Sequence, residues 1–216
     1  MKKFNYPDYC GDSVLRVSVA NKVSLFQEKL VGILNKNSLE QSGERVLTCV
    51  GGAAQVFDYE YLKRLGAFDF SVNEDGTYDA RFYIPKEIQY QIIREILEKR
   101  EKLVEFDPGR EVLEELSIEK VGDQEDVILD IKDALEITYK YLGSYVGMRK
   151  STRNPKVQTI AIWNYFAGEL PEDVAQKLFA SSYLFQIGSQ ELDRGMYSNI
   201  YPLGEDIRKA LSFETK

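Results

Sequence analysis

The sequence predicts an α/β protein, because segments with the two-residue alternation of β-strands are interspersed with segments that have the periodicity of amphipathic helices. A chain of 216 residues, 44% of them hydrophobic, is long enough to bury a core in one domain, or in one domain with an elaborated terminus. No low-complexity segment or internal repeat interrupts the pattern. We therefore expect a mixed sheet covered by helices on both faces.

The first forty residues are ambiguous, and the segment that follows them is a candidate strand. DSVLRVSV alternates like a strand, whereas VSLFQEKLVGIL fits either a strand or a helix. ERVLTCVGG predicts a short buried strand that ends at Gly51 and Gly52. The paired glycines indicate either a tight turn or a close approach of the backbone to a ligand, and the sequence leaves both open.

The middle of the chain predicts a strand followed by a helix. YDARFYIP is expected to be a strand that ends at Pro85, and KEIQYQIIREILEKREK is expected to be an amphipathic helix with a solvated charged face. Its apolar residues recur along one side at helical spacing: Ile88, Ile92, Ile93, Ile96 and Leu97.

The last part of the chain predicts a β-hairpin and further helices. LEITYKYLGSYVGMRK and KVQTIAIWNYFAGEL are rich in β-branched and aromatic residues, and STRNP between them has turn chemistry. Pro171 suits the first turn of a helix through Phe179. SYLFQIG then predicts a strand, and GEDIRKALSF predicts a closing helix.

Composition excludes several classes of function. The chain has no histidine, which excludes Ser-His and Cys-His nucleophiles, histidine-rich zinc sites and imidazole acid-base catalysis. Its formal charge of −7 argues against broad capture of nucleic acid or of an anionic membrane. Cys10 and Cys49 have no metal-ligand spacing, and no apolar run approaches the ~20 residues that span a bilayer. The N-terminal segment also lacks the apolar core of a signal peptide, so we expect a cytoplasmic protein.

DPGREVLEEL, residues 107–116, combines a helix start with closely spaced carboxylates. Asp107 is a good N-cap and Pro108 a good first helical residue, so we expect a helix to begin there. The apolar residues expected to turn inward are Val112, Leu113 and Leu116. The carboxylates at positions i, i+3 and i+4 share the opposite face: Glu111, Glu114 and Glu115.

Two interpretations of these carboxylates stay open. Three like charges so close repel one another unless a cation or solvent compensates them, and oxygen ligands of this kind suit Mg²⁺ or Mn²⁺. Acidic first turns also complement the helix dipole, and local physics alone favours a solvated acidic face.

The run REVLEELSI, residues 110–118, resembles the second half of the Nudix box, R-E-U-x-E-E-x-G-U, in which U is a bulky aliphatic residue. A strand that ends in GG before this run and a hairpin after it also resemble that family, as does FAGELPEDVAQKLFASSYLFQIGSQELDRG, which is similar to its last strand, short helix and acidic loop. The matching positions are Arg110, Glu111, Val112, Glu114, Glu115 and Ile118. The resemblance implies a Nudix-like α/β/α sandwich over residues 44–216, with residues 1–43 as an N-terminal extension.

The box is interrupted in this chain. The Ala53 to Gly109 segment, an expected insertion, separates the glycine pair from Arg110, and Ser117 replaces the final glycine of the motif. Gln55 stands where GGxxE would carry its glutamate, and Lys102 occupies the position eight residues before Arg110. If the two halves form one box, the helix after Asp107 should lie beside the turn that follows Val50.

The resemblance implies hydrolysis of a nucleoside diphosphate linked to another moiety. Glu114 and Glu115 would hold Mg²⁺ or Mn²⁺, and Glu111 would complete the metal shell or position the attacking water. Arg110 would orient these carboxylates by charge-assisted hydrogen bonds, and Glu191 in SQELDRG is a candidate general base. Gly51 and Gly52 are candidates for close approach to the nucleotide.

A basic cluster in GMRKSTRNPK is a candidate for phosphate contacts with a nucleotide-type small molecule. Its members are Arg149, Lys150, Arg153 and Lys156. The alternative, which composition favours, is an exposed hairpin tip.

Two other classes of function remain. One is a Nudix-like module that binds a nucleotide or a partner without hydrolysing it, which the interruption and Gln55 favour. The other is a purely structural interaction domain. Metal-dependent turnover separates the hydrolase from both, and stabilisation by a ligand separates the binding module from the structural domain. A homodimer is compatible with each of them.

The carboxylate spacing gives a first testable prediction. Mg²⁺ or Mn²⁺ should bind at Glu111, Glu114 and Glu115, and Glu115→Gln should weaken that binding sharply because it removes one charged oxygen ligand. Isothermal titration calorimetry of both proteins measures the effect. Unchanged binding in the variant would remove this helix from consideration as a metal site.

Overall fold

The structure is a computed structural model that describes residues 13–35, 44–117, 119–121, 124–126, 129–150, 156–180 and 184–214. Strands and helices are interspersed along the chain, which confirms the predicted α/β class. The chain forms two compact units. Of the described residues, the first unit contains those within 13–20, 53–106 and 144–164, and the second contains those within 21–52, 107–143 and 165–214.

The predicted strands and helices are present, and several short elements join them. The strands are β1 (Val14–Gln27), β2 (Lys29–Leu34), β3 (Leu47–Thr48), β4 (Gln55–Val56), β5 (Tyr78–Asp79), β6 (Arg81–Pro85), β7 (Glu119–Val121), β8 (Gln124–Asp126), β9 (Thr138–Lys150), β10 (Gln158–Glu169), β11 (Leu184–Ile187), β12 (Met196–Tyr197) and β13 (Tyr201–Pro202). The helices are α1 (Tyr59–Arg64), α2 (Gln89–Glu98), α3 (Arg100–Leu103), α4 (Gly109–Leu116), α5 (Ile131–Glu136), α6 (Glu172–Phe179), α7 (Ser189–Arg194) and α8 (Glu205–Glu214), and a 3₁₀ turn (Lys86–Ile88) precedes α2.

The longest strands belong to one sheet. Within the described part of the chain its order is β11-β2-β1-β10-β9, with β3 paired to β2 and β6 paired to β1. β1 is antiparallel to both β2 and β6, and β11 is antiparallel to β2. The predicted partners of the hairpin, β9 and β10, are neighbours in this order. The predicted STRNP turn, residues 151–155, lies outside the described residues.

The core of the first unit forms between paired strands and the predicted amphipathic helix. β1 and β6 place Val17 opposite Phe82 in the antiparallel register, and both side chains are fully buried. On α2, Ile92 and Ile96 are buried in the same cluster. The other three apolar residues of the predicted stripe are partly buried against it: Ile88, Ile93 and Leu97. The helical spacing in the sequence therefore identified the buried face correctly.

The core of the second unit packs helices against the other end of β1 and against β2. α6 begins after Pro171, as predicted, and buries Val174, Ala175 and Leu178. These residues share a cluster with Leu25 of β1 and Val31 of β2. The order of charges along α6, with acids in its first turn and Lys177 in its last, also suits the helix dipole.

The ambiguous N-terminal segment is a pair of strands. β1 ends at Gln27, Glu28 turns the chain with a positive φ of 58°, and β2 follows. Five of the six residues of β2 are buried, so the strand lacks the alternation of buried and exposed residues that identifies a strand in a sequence. β1 pairs with β2 in the second unit and with β6 in the first.

Helix α5 was not expected from the sequence. It has only six residues, but a reciprocal capping box stabilises its start: Asp130 accepts from the backbone N–H of Asp133, and Asp133 accepts from that of Asp130. The Nζ atom of Lys177 on α6 lies 2.5 Å from Oδ1 of Asp133. This ammonium group holds the pKa of Asp133 below its usual range.

Within the described ranges, no helix has the length and apolar character needed to cross a lipid bilayer.

The link between Asp133 and Lys177 predicts a pH-dependent contribution to stability. Lys177→Met should lower the free energy of unfolding at pH 7, because it removes the cation beside a buried carboxylate. The folded-state pKa of Asp133 is depressed, so this difference between wild type and variant should be complete above the ordinary carboxyl pKa of 3.8 and should shrink as the pH falls further. Urea unfolding at pH 7 and at acidic pH measures it. A difference that grows on acidification would contradict the assignment.

Candidate functional site

Helix α4 begins as the sequence around Asp107 predicts. Oδ1 of Asp107 accepts a hydrogen bond from the backbone N–H of Gly109 at 2.8 Å, and Pro108 precedes the first residue of the helix. The carbonyl oxygen of Pro108 accepts the first helical bond, from Val112. The helix starts at Gly109, one residue after the predicted start at Pro108.

One face of α4 anchors it to the core of the second unit. Val112 and Leu116 are buried and belong to that core, and Leu113 is partly buried against it. The three carboxylates of the helix differ in burial. Glu111 is only 2% exposed, whereas Glu114 and Glu115 are exposed. The i, i+3, i+4 spacing therefore predicts that the residues share a face of the helix, but not how deeply each one is buried.

The glycine pair makes two close backbone approaches within the second unit. Val50 and Val23 exchange backbone hydrogen bonds, and the carbonyl oxygen of Gly52 accepts from Asn21. Gly51 has a φ of 147°, and a side chain there would collide with the carbonyl oxygen of Asn21. The approach at Gly51 therefore requires glycine for space.

Gly52 lies directly against the start of α4. A Cβ atom added at Gly52 would collide with Oε2 of Glu111. The expectation that the helix after Asp107 lies beside the turn after Val50 is therefore confirmed. Within the second unit, the backbone at Gly52 closely approaches a carboxylate of the same chain. Gly52 and Glu111, which belong to two distant segments of the chain, therefore lie next to each other.

Arg110 connects two of the three carboxylates. Its Nη2 atom lies 2.5 Å from Oε1 of Glu111, and its Nη1 atom lies 2.6 Å from Oε1 of Glu114. The guanidinium group, 27% exposed, therefore bridges a buried and an exposed carboxylate. Charge-assisted hydrogen bonds of this kind fix the orientation of both groups.

The residues fit a hard cation by their chemistry, although they do not converge as a three-acid group. Glu111 and Glu114 already share one cationic group, and Gly52 leaves the space that the carboxylate of Glu111 fills. Over the ranges that the structure describes, no three Asp, Glu or Cys side chains lie close enough together to hold a metal ion. The exposed Glu114 and Glu115 would have to rotate toward Glu111 to complete such a group.

Two further polar side chains lie at the start of α4, and the sequence gave no signal for them. Asn21 donates from Nδ2 to the carbonyl oxygen of Asp107 at 3.4 Å. Tyr139 lies beside Gly109, and its buried hydroxyl oxygen has no hydrogen-bond partner among the described residues. Burial, together with the nearby Asp107 carboxylate, raises the pKa of Tyr139 to about 12. Its phenol therefore stays protonated near neutral pH.

Glu191 lies in a helix and not in the predicted acidic loop. It belongs to α7, and its Oε2 atom accepts a hydrogen bond from the backbone N–H of Gly188 at 3.1 Å. This contact caps the helix, so the carboxylate has a structural role independent of any catalytic one.

The basic cluster lies in the first unit. Arg149 and Lys150 are exposed at the end of β9, where the guanidinium group of Arg149 lies 5.0 Å from the ring centroid of Trp163. Lys156 is exposed, and Arg153 lies outside the described residues. Arg149, Lys150 and Lys156 are therefore exposed, as expected for residues near a hairpin tip.

A buried carboxylate lies beside Gln55 in the first unit. Glu105 is 6% exposed, and its Oε2 atom accepts from the backbone N–H of Gln55 at 3.3 Å. The backbone N–H of Glu105 in turn donates to the carbonyl oxygen of Gln55. The carboxylate beside Gln55 therefore belongs to Glu105, near the end of the Ala53 to Gly109 segment.

An open cleft of about 670 Å³ lies in the second unit, at the ends of β1 and β10 and the start of β9. Phe26 and Leu170 provide apolar surface there, and Lys140 provides a cation. None of the predicted site residues lines this cleft. Its position therefore does not support the predicted site.

Comparisons with models of protein families, with curated proteins and with solved structures found no match to this chain.

The contact between Gly52 and Glu111 predicts an energetic coupling. Gly52→Ala should lower the free energy of unfolding by about 1–3 kcal/mol, because the new methyl group collides with a buried carboxylate. Combining it with Glu111→Ala, which removes that carboxylate, should relieve the collision. Urea unfolding of the two single variants and the double variant measures the coupling. Strictly additive losses would show that Gly52 and Glu111 do not constrain each other in solution.

Proposed function

We propose that the chain is a metal-dependent hydrolase of the Nudix type, with the corresponding α/β/α sandwich, that acts on a nucleoside diphosphate linked to another moiety. The observation that carries the proposal is the contact between Gly52 and Glu111. Two sequence segments that resemble the two ends of one motif are far apart in the chain but adjacent within the second unit. A coincidental match to REVLEELSI would not require this adjacency.

The carboxylates of α4 would hold Mg²⁺ or Mn²⁺ through Glu111, Glu114 and Glu115. The bound cation supplies polarisation of phosphate oxygens and a lower pKa for water. These side chains have two different environments before a cation binds. Glu111 is buried and paired with Arg110, whereas Glu114 and Glu115 are exposed.

The other residues of the chain would bind and orient. Arg110 would hold the carboxylate of Glu111 in one direction by a charge-assisted hydrogen bond. Gly51 and Gly52 remain candidates for contact with the diphosphate, although Asn21 and Glu111 occupy the space beside them and a ligand would have to approach from another side. Glu191 remains the candidate general base, and it would have to leave its capping contact with Gly188 to accept a proton. In a chain without histidine, carboxylates are the groups available for this role near neutral pH.

A Nudix-like module that binds a nucleotide without hydrolysing it is the second candidate. It is favoured by Gln55 at the position of a motif glutamate, and by the pairing of Glu111 and Glu114 with Arg110. A screen with Mg²⁺ and Mn²⁺ distinguishes the two. It should include dinucleoside polyphosphates, ADP-ribose, NAD-like compounds, nucleoside triphosphates and signalling nucleotides. Turnover supports the hydrolase, and stabilisation without turnover supports the binding module.

The hydrolase proposal predicts strict dependence on the metal and on Glu114. Activity should require Mg²⁺ or Mn²⁺ and should be lost on chelation. Glu114→Gln should lower kcat by at least ~100-fold, since the lost charge stabilises the transition state. Melting temperatures should stay equal, because an exposed change of this kind costs little stability. Glu136→Gln, on the exposed surface of α5, is the matched control and should keep full activity.

The outcome that contradicts the hydrolase is specific. The hydrolase is contradicted if no diphosphate compound is turned over with either metal while a nucleotide raises the melting temperatures of both wild type and Glu114→Gln. The binding module would then be the function of the chain.

A further inference from the structure

The open cleft of the second unit has the size of a small-molecule site. Its volume of about 670 Å³ lies within the range of ligand pockets, roughly 300–1,000 Å³. It contains none of the residues that the proposed function uses. A ligand of this cleft would therefore be independent of the proposed hydrolase.

The cleft lies on a stretch of the sheet that helix α8 leaves uncovered. Phe213 of α8 packs against Tyr165 of β10, with their ring centroids 5.4 Å apart. Ala167 lies two residues further along β10, on the same face of the sheet, and lines the cleft. Of the described residues that line the cleft, only Glu172 belongs to a helix. This face of the sheet is therefore covered by a helix at Tyr165 and accessible at Ala167.

The floor of the cleft is apolar. Leu170 is buried there, and Phe26 and Ala167 are half-buried. The backbone N–H of Leu170 donates to the carbonyl oxygen of Phe26 at 2.9 Å, which holds these two residues side by side. Apolar surface that is still partly exposed in the folded chain favours a ligand with an apolar body. The aromatic ring of Phe26 also attracts a cation that lies over its face.

The charged groups around this floor carry an excess of negative charge. They are three carboxylates and one ammonium group, all on exposed side chains: Glu28, Glu169, Glu172 and Lys140. Among the residues that the structure describes, Lys140 forms no ion pair with these glutamates. The cleft therefore keeps a net negative charge beside its apolar floor.

The charges are distributed unevenly across the cleft. Glu28 follows β1, whereas Lys140 lies on β9, and β10 separates these two strands in the sheet. Two strand spacings place the backbones of β1 and β9 about 10 Å apart. A cation at the β1 side is therefore close to carboxylates and distant from the ammonium group of Lys140.

From this lining we infer that the cleft binds a small organic ammonium ion with an apolar body. The apolar body lies on Phe26 and Leu170, and the ammonium group lies at the β1 side of the cleft. Attraction to the carboxylates and to the ring of Phe26 favours such a cation over a neutral molecule of the same shape. Free amines and amino acids share this chemistry. They differ in the carboxylate of the amino acid, which Lys140 would attract.

Binding of phenethylamine tests the class of ligand. Isothermal titration calorimetry at low salt should show at least about fivefold tighter binding of phenethylamine than of phenethyl alcohol, its neutral counterpart. Raising NaCl to about 1 M should remove this difference, because salt screens exposed charges. Phenylalanine distinguishes the two sources of the ammonium group. Tighter binding than phenethylamine indicates an amino acid, and weaker binding indicates a free amine.

Two variants with effects of opposite sign locate the ligand in the cleft. Glu28→Gln should weaken the binding of phenethylamine by about twofold to fivefold, because it removes an attractive charge. Lys140→Gln should strengthen this binding, because it removes a repulsive charge. Glu136→Gln and Lys132→Gln on α5 are the matched controls, since they make the same changes of net charge at exposed positions outside the cleft. They should leave the affinity unchanged.

Three results would overturn the inference. Phenethyl alcohol that binds as tightly as phenethylamine would show that the cleft does not select a cation. Equal effects of Glu28→Gln and Glu136→Gln would place the amine outside the cleft. An absence of binding by every probe would show that the cleft takes no ligand of this class. Turnover of a diphosphate compound is a separate result, because no residue changed in this comparison belongs to the proposed hydrolytic site.

Discussion

The buried carboxylate of Glu111 is the constraint on which the candidate site depends. A charged group that is 2% exposed needs a partner of opposite charge and a space of the right shape, and here Arg110 and Gly52 provide them. The glycine cannot be replaced without moving the carboxylate. The close packing of Glu111 against Gly52 therefore constrains the position of α4 beside the turn after Val50, together with the apolar face of the helix.

This arrangement gives the second unit a rigid part and an adjustable part. Val112 and Leu116 anchor α4 in the core, and Glu111 is held from two sides. Glu114 and Glu115 extend from the same helix into solvent, where rotation of a side chain costs little. A binding site needs both properties, because fixed groups orient a ligand and adjustable groups complete its shell. The same geometry is compatible with a hydrolase and with a binding module, and a measurement of substrate turnover distinguishes the two.

Regular patterns in the sequence were sufficient for the longer elements. The isoleucines of α2 identified its buried face, and the β-branched segments identified β9 and β10. Shorter elements were missed because their signals are too brief to show periodicity. Helix α5 has six residues and depends on reciprocal capping by Asp130 and Asp133, and α7 occupies a segment that was expected to be a loop. The strand β2 gave an ambiguous pattern because most of it is buried.

For the candidate site, the sequence by itself determined the identity and spacing of the groups: a capped helix start, an arginine, three carboxylates at i, i+3 and i+4, and a distant glycine pair. Only the tertiary structure decided which carboxylate is buried and which group neutralises it. Periodicity specifies the face of a helix on which a residue lies, but the burial of that face depends on chain segments far away in sequence, here the backbone of Gly52. Because the charge state and mobility of a carboxylate follow from burial and from its partners, the roles of Glu111 and Glu114 became different only when the chain folded.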